Sequence, residues 1–301
     1  MVDTVSIIAI NTPRLECLAM CKRNYKKWTD EEILFLRKNS DIYTVQMLGE
    51  KLERNESSVQ NKLTKLKIKK KRLAHTTYLY NREFFQNIDV EEKSYWLGFV
   101  AADGCILGGG RTGKRLKISL HKDEKKHLEK FVKSLDGNID IKDYKYKTKD
   151  GFYEHVEISV GSNKLCNDLE KLNITKAKSK TLRMSEIRDD LIRHYLRAYI
   201  DGDGHYYLSK DGKKSYIEIY VGSKELLDFF RSYLESNGID NYIFHYQNKN
   251  IYKISVHNKN SKLTLIRLLY KDATIFLDRK KEKALKIYQT LSGYKHYRAD
   301  I

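Results

Sequence analysis

Cysteine is scarce and poorly placed for chemistry. The 301 residues hold four, Cys17, Cys21, Cys105 and Cys166, with no paired Cys-x-x-Cys or histidine spacing. That argues against structural zinc and against a disulfide framework, and leaves free thiols in a reducing compartment. Long apolar runs are missing as well. None approaches the roughly 20 residues a membrane helix requires. The opening MVDTVSIIAINTPRLECLAM has an apolar patch but no basic region ahead of it, so it makes a poor secretion signal. Met20 is an alternative start, since the better-organised pattern follows it. Proline occurs once, and not at all in residues 73–93, a stretch of little periodicity read as a linker. An intracellular protein of two or three domains, not bound to membrane, is expected.

Acidic charge is also in short supply. With 58 Lys and Arg against 40 Asp and Glu, the net charge is +18, which favours a polyanionic partner and nucleic acid first. The excess is spread along the chain. Residues 1–93 carry 18 basic and 13 acidic side chains, and residues 94–301 carry 40 and 27.

After a leader (1–27), residues 28–72 are organised as three short helices. WTDEEILFLRK opens with a capping box, Thr29 and Glu32, followed by Ile33, Leu34 and Leu36 as the inward side. A second helix over 44–52 turns Val45, Leu48 and Leu52 inward. A third, from about Glu56 to Leu66, buries Val59, Leu63 and Leu66 and offers Ser57, Ser58, Gln60, Asn61, Lys62 and Lys65 outward. Lys69, Lys70 and Lys71 follow at once in KIKKKR, beside the candidate reading helix, where phosphate binding suits them. With its early Trp28, the segment resembles the Myb/SANT-like helix-turn-helix class. A three-helix bundle that binds protein is the competing reading.

From residue 94 the chain repeats itself. WLGFVAADG ends in Asp103-Gly104, and LRAYIDGDG ends in Asp203-Gly204, 100 residues later. Each motif is followed by an alternating strand (RLKISL, YIEIYV), a helix (DEKKHLEKFVKSL, KELLDFFRSYL), further strands ending in HVEISV and YKISV, another helix and a lysine cluster. Residues 94–193 and 194–301 thus each read αββαββα, and the fold class expected is α+β. Within the motifs, Gly98 and Ala102 are four apart, as are Ala198 and Gly202, which puts small side chains on one face of each helix. Two such helices can lie backbone to backbone, and Asp103 and Asp203 then meet at one end of the seam. Gly104 and Gly204 are expected to leave the helices with positive φ. A carboxylate at a helix C-terminus is disfavoured by the dipole, and two adjacent ones repel; a divalent cation between them would offset both effects.

These residues resemble the LAGLIDADG homing endonucleases in their single-chain, two-motif form. The resemblance covers about 94–291 and implies two pseudo-symmetric αββαββα halves forming a saddle over double-stranded DNA, in a monomer with an internal pseudo-twofold axis. It implies Mg2+, or another divalent cation such as Mn2+, held at Asp103 and Asp203 with Gly104 and Gly204 beside them, and hydrolysis of both strands across the minor groove. Lys178 in KAKSK lies 75 residues after Asp103, and Lys280 in DRKKEK lies 77 after Asp203; both stand where family members place a basic residue near the scissile phosphate. Ala101 stands where the motif often has another Asp, and Trp96 replaces the leading Leu.

The strands supply a candidate DNA-reading face. Arg115, Lys117, Ser119 and His121 alternate with apolar residues, as do His155, Glu157 and Ser159, with Lys253 and Ser255 in the second half. GGGRTGKR, Gly108 to Arg115, satisfies a phosphate-loop spacing, but Arg115 replaces the required Ser/Thr and a strand follows, so a hairpin loop is expected. The same scaffold also admits an RNA-binding intron maturase or a non-cleaving DNA-binding regulator.

Overall fold

The computed structural model describes residues 27–40, 43, 45–68, 78–110, 113–149 and 151–293. The leader before residue 27 and the candidate DNA contacts Lys69, Lys70 and Lys71 lie outside them. The chain divides into two compact units, one drawn from Met1–Ser40 and Val45–Lys69, the other from Asp41–Thr44 and Lys70–Ile301.

The first unit contains α1 (Asp30–Asn39), α2 (Val45–Lys51) and α3 (Glu56–Lys65). Thr29 and Glu32 form the expected capping box: the Thr29 hydroxyl accepts from the Glu32 N–H at 3.2 Å, and the Thr29 N–H donates to the Glu32 carboxylate at 2.9 Å. Leu36, Leu48, Val59 and Leu63 make the core. Leu34, expected inward, is 66% exposed. At 100° per residue it lies 200° from Leu36 and cannot share that helix's buried face. Trp28 is covered by the Arg54 guanidinium, 4.0 Å from the ring centroid, and Arg54 is in turn paired with Glu32 at 2.8 Å. Ser57, Gln60, Asn61 and Lys65 are exposed on α3, while Ser58 and Lys62 are half-buried.

The second unit holds α4 (Glu91–Asp103), β1 (Gly104–Gly108), β2 (Lys114–His121), α5 (Lys125–Ser134), β3 (Lys142–Thr148), β4 (Gly151–Gly161) and α6 (Asn163–Lys171), then α7 (Asp189–Asp203), β5 (Gly204–Leu208), β6 (Ser215–Val221), α8 (Lys224–Ser236), β7 (Tyr242–Tyr246), β8 (Ile251–Val256) and α9 (Lys259–Tyr270). This is αββαββα twice. Each half forms a four-stranded antiparallel sheet, ordered β1-β2-β4-β3 and β5-β6-β8-β7. One face of each sheet packs on its helices through alternate residues, Leu116, Ile118, Val156 and Ile158 in the first, Ile217, Ile219, Ile254 and Val256 in the second. The other face is left open. β1 and β2 form the hairpin expected of the glycine-rich segment.

Two segments depart from the sequence reading. Residues 78–90 are not a spacer: Leu79, Tyr80, Phe84 and Phe85 are buried, and the Tyr80 hydroxyl donates to the Gly161 carbonyl at 2.7 Å. The DRKKEK cluster begins a further 15-residue helix, α10 (Asp278–Ser292), which buries Ala284, Ile287 and Tyr288. Its apolar residues come after the charged run, so the charge conceals the helix. No described helix is long and apolar enough to cross a membrane.

Candidate active site at the paired helix ends

Both motif helices begin with two acids, Glu91-Glu92 and Asp189-Asp190, where the helix dipole favours negative charge. They then run almost wholly buried, through Tyr95–Ala101 and Tyr195–Asp201. They can touch because their side chains are small where they meet. A Cβ on Gly98 would overlap the Tyr195 carbonyl oxygen, and one on Gly202 would lie 2.5 Å from the Ala102 methyl and 2.8 Å from Asp103 Oδ2. Backbone contact of this kind tolerates no larger residue. It places Asp103 directly against the last turn of α7.

Gly104 and Gly204 do not have positive φ. Their angles are −81° and −97°, ordinary extended backbone. The need for glycine is steric: the chain passes from helix to strand without a loop, and a Cβ would press on the Val100 carbonyl oxygen at 2.8 Å or that of Ile200 at 2.6 Å.

Neither motif carboxylate has a hydrogen-bond or ion-pair partner among the described residues. Burial, then the neighbouring Asp203 and Glu124, push Asp103 up to about 7, against the opposing pull of Lys280 and Lys178. Burial likewise raises Asp203, again opposed by both lysines. Those lysines are themselves buried. The Lys178 ammonium donates to the Gly104 carbonyl; that of Lys280 donates to the Gly204 carbonyl and, at 3.1 Å, to Ile200. Burial pulls both down, Lys280 to about 8. Two partnerless carboxylates and two buried ammoniums thus converge on one helix seam. The carboxylates suit a hard divalent cation. Among the described residues there is no group of three or more His, Cys, Asp or Glu side chains able to hold a metal. Two carboxylates would leave the remaining positions to backbone oxygens, water and a phosphate.

Two residues not singled out from the sequence hold this arrangement. Arg197, fully buried, donates to the Glu91 carboxylate at 2.6 Å and to the Leu269 and Ile275 carbonyls, so it ties α7 to α4 and α9. Asp201, also fully buried, accepts from the Tyr95 hydroxyl at 2.7 Å and the Leu277 N–H at 2.8 Å. It fixes the start of α10, three residues before Lys280. The aspartate in the second motif where the first has Ala101 was the available signal.

The open faces start where the carboxylates end, at Cys105 opposite Lys117 and at His205 opposite Glu218. Lys117, Ser119 and His121 lie opposite Ser159, Glu157 and His155, so these candidates share one surface, with Arg115 opposite Gly161. Lys117 is paired with Glu157 at 2.6 Å, and His155 stacks on Tyr144 with centroids 4.9 Å apart. Lys253 is paired with Glu218 at 2.7 Å. Ser255 is withdrawn from this surface: it is fully buried and its hydroxyl bonds His257 at 2.8 Å. Aromatic residues dominate more than the alternation alone indicated. Tyr144, Tyr146 and Tyr153 stand exposed on the first face, and Tyr220, Tyr242, Phe244 and Tyr246 on the second.

Residues 190–269 match the family described as LAGLIDADG-like domain. Among solved structures, the homing endonuclease I-WcaI bound to its DNA recognition sequence is similar over 66% of this chain and 91% of its own, at 15% identity and a TM-score of 0.50. The fold is that of the LAGLIDADG proteins. Fainter likenesses include the LAGLIDADG homing endonuclease I-GzeII in complex with DNA target, with 12% identity, 68% and 92% coverage and a TM-score of 0.45. Full-length DUF199/WhiA from Thermatoga maritima gives 18% identity, 72% and 66% coverage and a TM-score of 0.45. No curated protein matches.

Proposed function

We propose that this protein is a site-specific homing endonuclease that makes a double-strand break in DNA by metal-dependent phosphodiester hydrolysis. The observation that carries this reading is the pair of partnerless carboxylates, Asp103 and Asp203, at adjoining helix ends, each beside a buried lysine. A structural role would leave two repelling, desolvated acids with no hydrogen bond or ion pair to offset their burial. When bound at Asp103 and Asp203, Mg2+ or Mn2+ would lower the pKa of an attacking water and draw charge from the phosphate. The chain's own groups do the rest. Lys178 and Lys280, rooted on the Gly104 and Gly204 carbonyls, are fixed cationic donors for charge developing at the phosphate. Arg115, Ser119 and His121, exposed on the first open face, and Lys253 on the second, meet backbone and base edges.

The test is incubation of the full chain with Mg2+ and a DNA library carrying uninterrupted candidate insertion sites. Double-strand breaks at one sequence, abolished by a chelator, support the reading. Binding to duplex DNA without breaks would move it to a regulator, and preferential binding of intron RNA to a maturase. The first unit serves in this reading as a second DNA reader through α3, with Ser57, Ser58, Gln60, Asn61, Lys62 and Lys65, and with Lys69, Lys70 and Lys71 on phosphate. Its removal is then expected to shorten the protected DNA from one end only. An unchanged footprint assigns this unit to another partner.

A further inference from the structure

Each buried lysine of the candidate centre is braced by the half of the molecule to which it does not belong. Lys280 is reached from the first half: Arg279 pairs with Glu124, and the Lys130 ammonium donates to Asp278 at 3.0 Å and to the Phe276 carbonyl at 3.1 Å. Lys178 sits in a single helical turn, Lys178–Lys180, entered through Ala177 at φ 54°. That turn is reached from the second half at two points. Gly222 lies so close to it that a Cβ there would overlap the Ser179 carbonyl oxygen. The Lys180 ammonium donates to the Lys249 carbonyl at 3.3 Å and to the Asn250 carbonyl.

Lys249 and Asn250 belong to the exposed β7–β8 turn, Gln247–Asn250, which closes through the Asn250 N–H on the Gln247 carbonyl at 3.1 Å. The turn borders an open groove of about 780 Å³, lined also by Tyr220, His245, Tyr246 and Ile251. Tyr220 and Tyr246 are two of the exposed aromatics of the second open face. The groove therefore belongs to the surface proposed to meet DNA, yet its rim is bonded through one side chain to the turn that aims Lys178.

We infer that Lys180 is a positioning residue for the first centre, and that it couples occupancy of the β7–β8 groove by target DNA to the placement of Lys178 over Gly104. This rests on the cleavage reading for its function but on geometry for its mechanism. A lysine that holds two carbonyls of the opposite half loses little by exposure while the turn is in place, and releases its own turn when the rim moves. DNA seated on the second half thereby licenses the centre of the first.

The experiment compares Lys180→Ala, Lys180→Arg and Lys178→Met in full-length protein, with strand-resolved nicking at saturating enzyme. Lys180→Ala is expected to slow cutting of one strand by about tenfold, the loss expected for one charged hydrogen bond. The slowed strand should be the one that Lys178→Met slows, with Lys180→Arg restoring the rate. Equal slowing of both strands, or no slowing, overturns the inference; so does weakened binding with a shallower salt dependence, which would make Lys180 a plain phosphate contact. If the parent protein cuts neither strand, the cleavage reading falls by itself, and hydrogen exchange decides the positioning role. Lys180→Ala should then speed exchange of the amides at 178–181 while those at 277–281 stay as in the parent; unchanged exchange at 178–181 overturns the positioning role.

Discussion

Counted outward from Gly104 and Gly204, the sheet registers put Lys117 of the first half level with Glu218 of the second, and Glu157 level with Lys253. Both open faces thus carry one ion pair in the same place with its signs exchanged, Lys117–Glu157 at 2.6 Å and Lys253–Glu218 at 2.7 Å. Around it the two faces diverge. The first adds Arg115, Lys142, two histidines and Tyr144, Tyr146 and Tyr153, and the second adds His205 with the larger aromatic set Tyr207, Tyr216, Tyr220, Tyr242, Phe244 and Tyr246. The buried seam is more alike, with a glycine at a close contact on each helix, Gly98 against the Tyr195 backbone and Gly202 against the Ala102 methyl and the Asp103 carboxylate. Packing enforces that likeness, because helices this close leave no room for a larger side chain. Nothing enforces it on an open face, so within one chain each sheet is free to suit its own partner surface. Where the seam itself departs from symmetry, at Leu97 against Arg197 and Ala101 against Asp201, the added charges lie in the second half and hold α9 and α10.

The largest test of that likeness concerns the two carboxylates. Asp103→Asn and Asp203→Asn should each bring double-strand cutting to background in a Mg2+ plasmid assay, while specific binding in gel shifts stays near that of the parent. A variant that still cuts both strands at the parent rate would break the equivalence of the two ends.

The same carboxylate should cost stability in a pH-dependent way. Asp103 is raised from 3.8 to about 7, so the folded state binds the extra proton between those values, and stability falls as pH rises through the window. In chelator, Asp103→Asn is therefore expected to be more stable than the parent above pH 7 by about 2–4 kcal/mol, the gap closing below pH 3.8. Urea melts across pH 4–8 measure this. A gap that does not change with pH would mean that repulsion and burial are not its source.

Next in size is the seam. Gly98→Ala should destabilise by about 1–3 kcal/mol, because the new methyl meets the Tyr195 backbone rather than a movable side chain. The mirror change, Ala198→Gly, should cost only about 1 kcal/mol, through helix propensity. Equal effects in chemical denaturation would show that the seam is more symmetric than its contacts.

The smallest effect should separate the open faces. Removing Arg115 is expected to lower the magnitude of the salt slope of DNA binding by about one, whereas Phe244→Ala should weaken binding and leave the slope alone. Two equal slope changes would mean that both faces bind through charge.

Much of this was legible in the residues. Strand alternation gave the buried and open faces, because side chains alternate with a period of two wherever one sheet face is covered. The spacing of small residues in two matched motifs gave the paired helices and the meeting of Asp103 and Asp203. Local pattern was less reliable where it had to stand for something distant. Leu34 lies on the wrong side of its helix, Ser255 keeps the expected sheet face but is covered there, and Gly104 and Gly204 are required for space and not for φ. Residues 78–90 read as a linker since their buried aromatics follow no period, though they pack on strands and loops far along the chain.

By itself, then, the sequence determined what repeats: two αββαββα halves, two small-faced helices, two terminal aspartates, each followed by a lysine at nearly the same interval. These follow from short-range periodicity and from the duplication of one pattern. Tertiary structure alone decided which groups face one another across the seam. That Lys178 reaches a carbonyl 74 residues away, that Asp201 anchors a helix start 76 residues on, and that Lys180 holds a turn of the opposite half depend on how two sheets and two helices are set against each other. No local period encodes such contacts, because they are fixed by the close packing of distant segments.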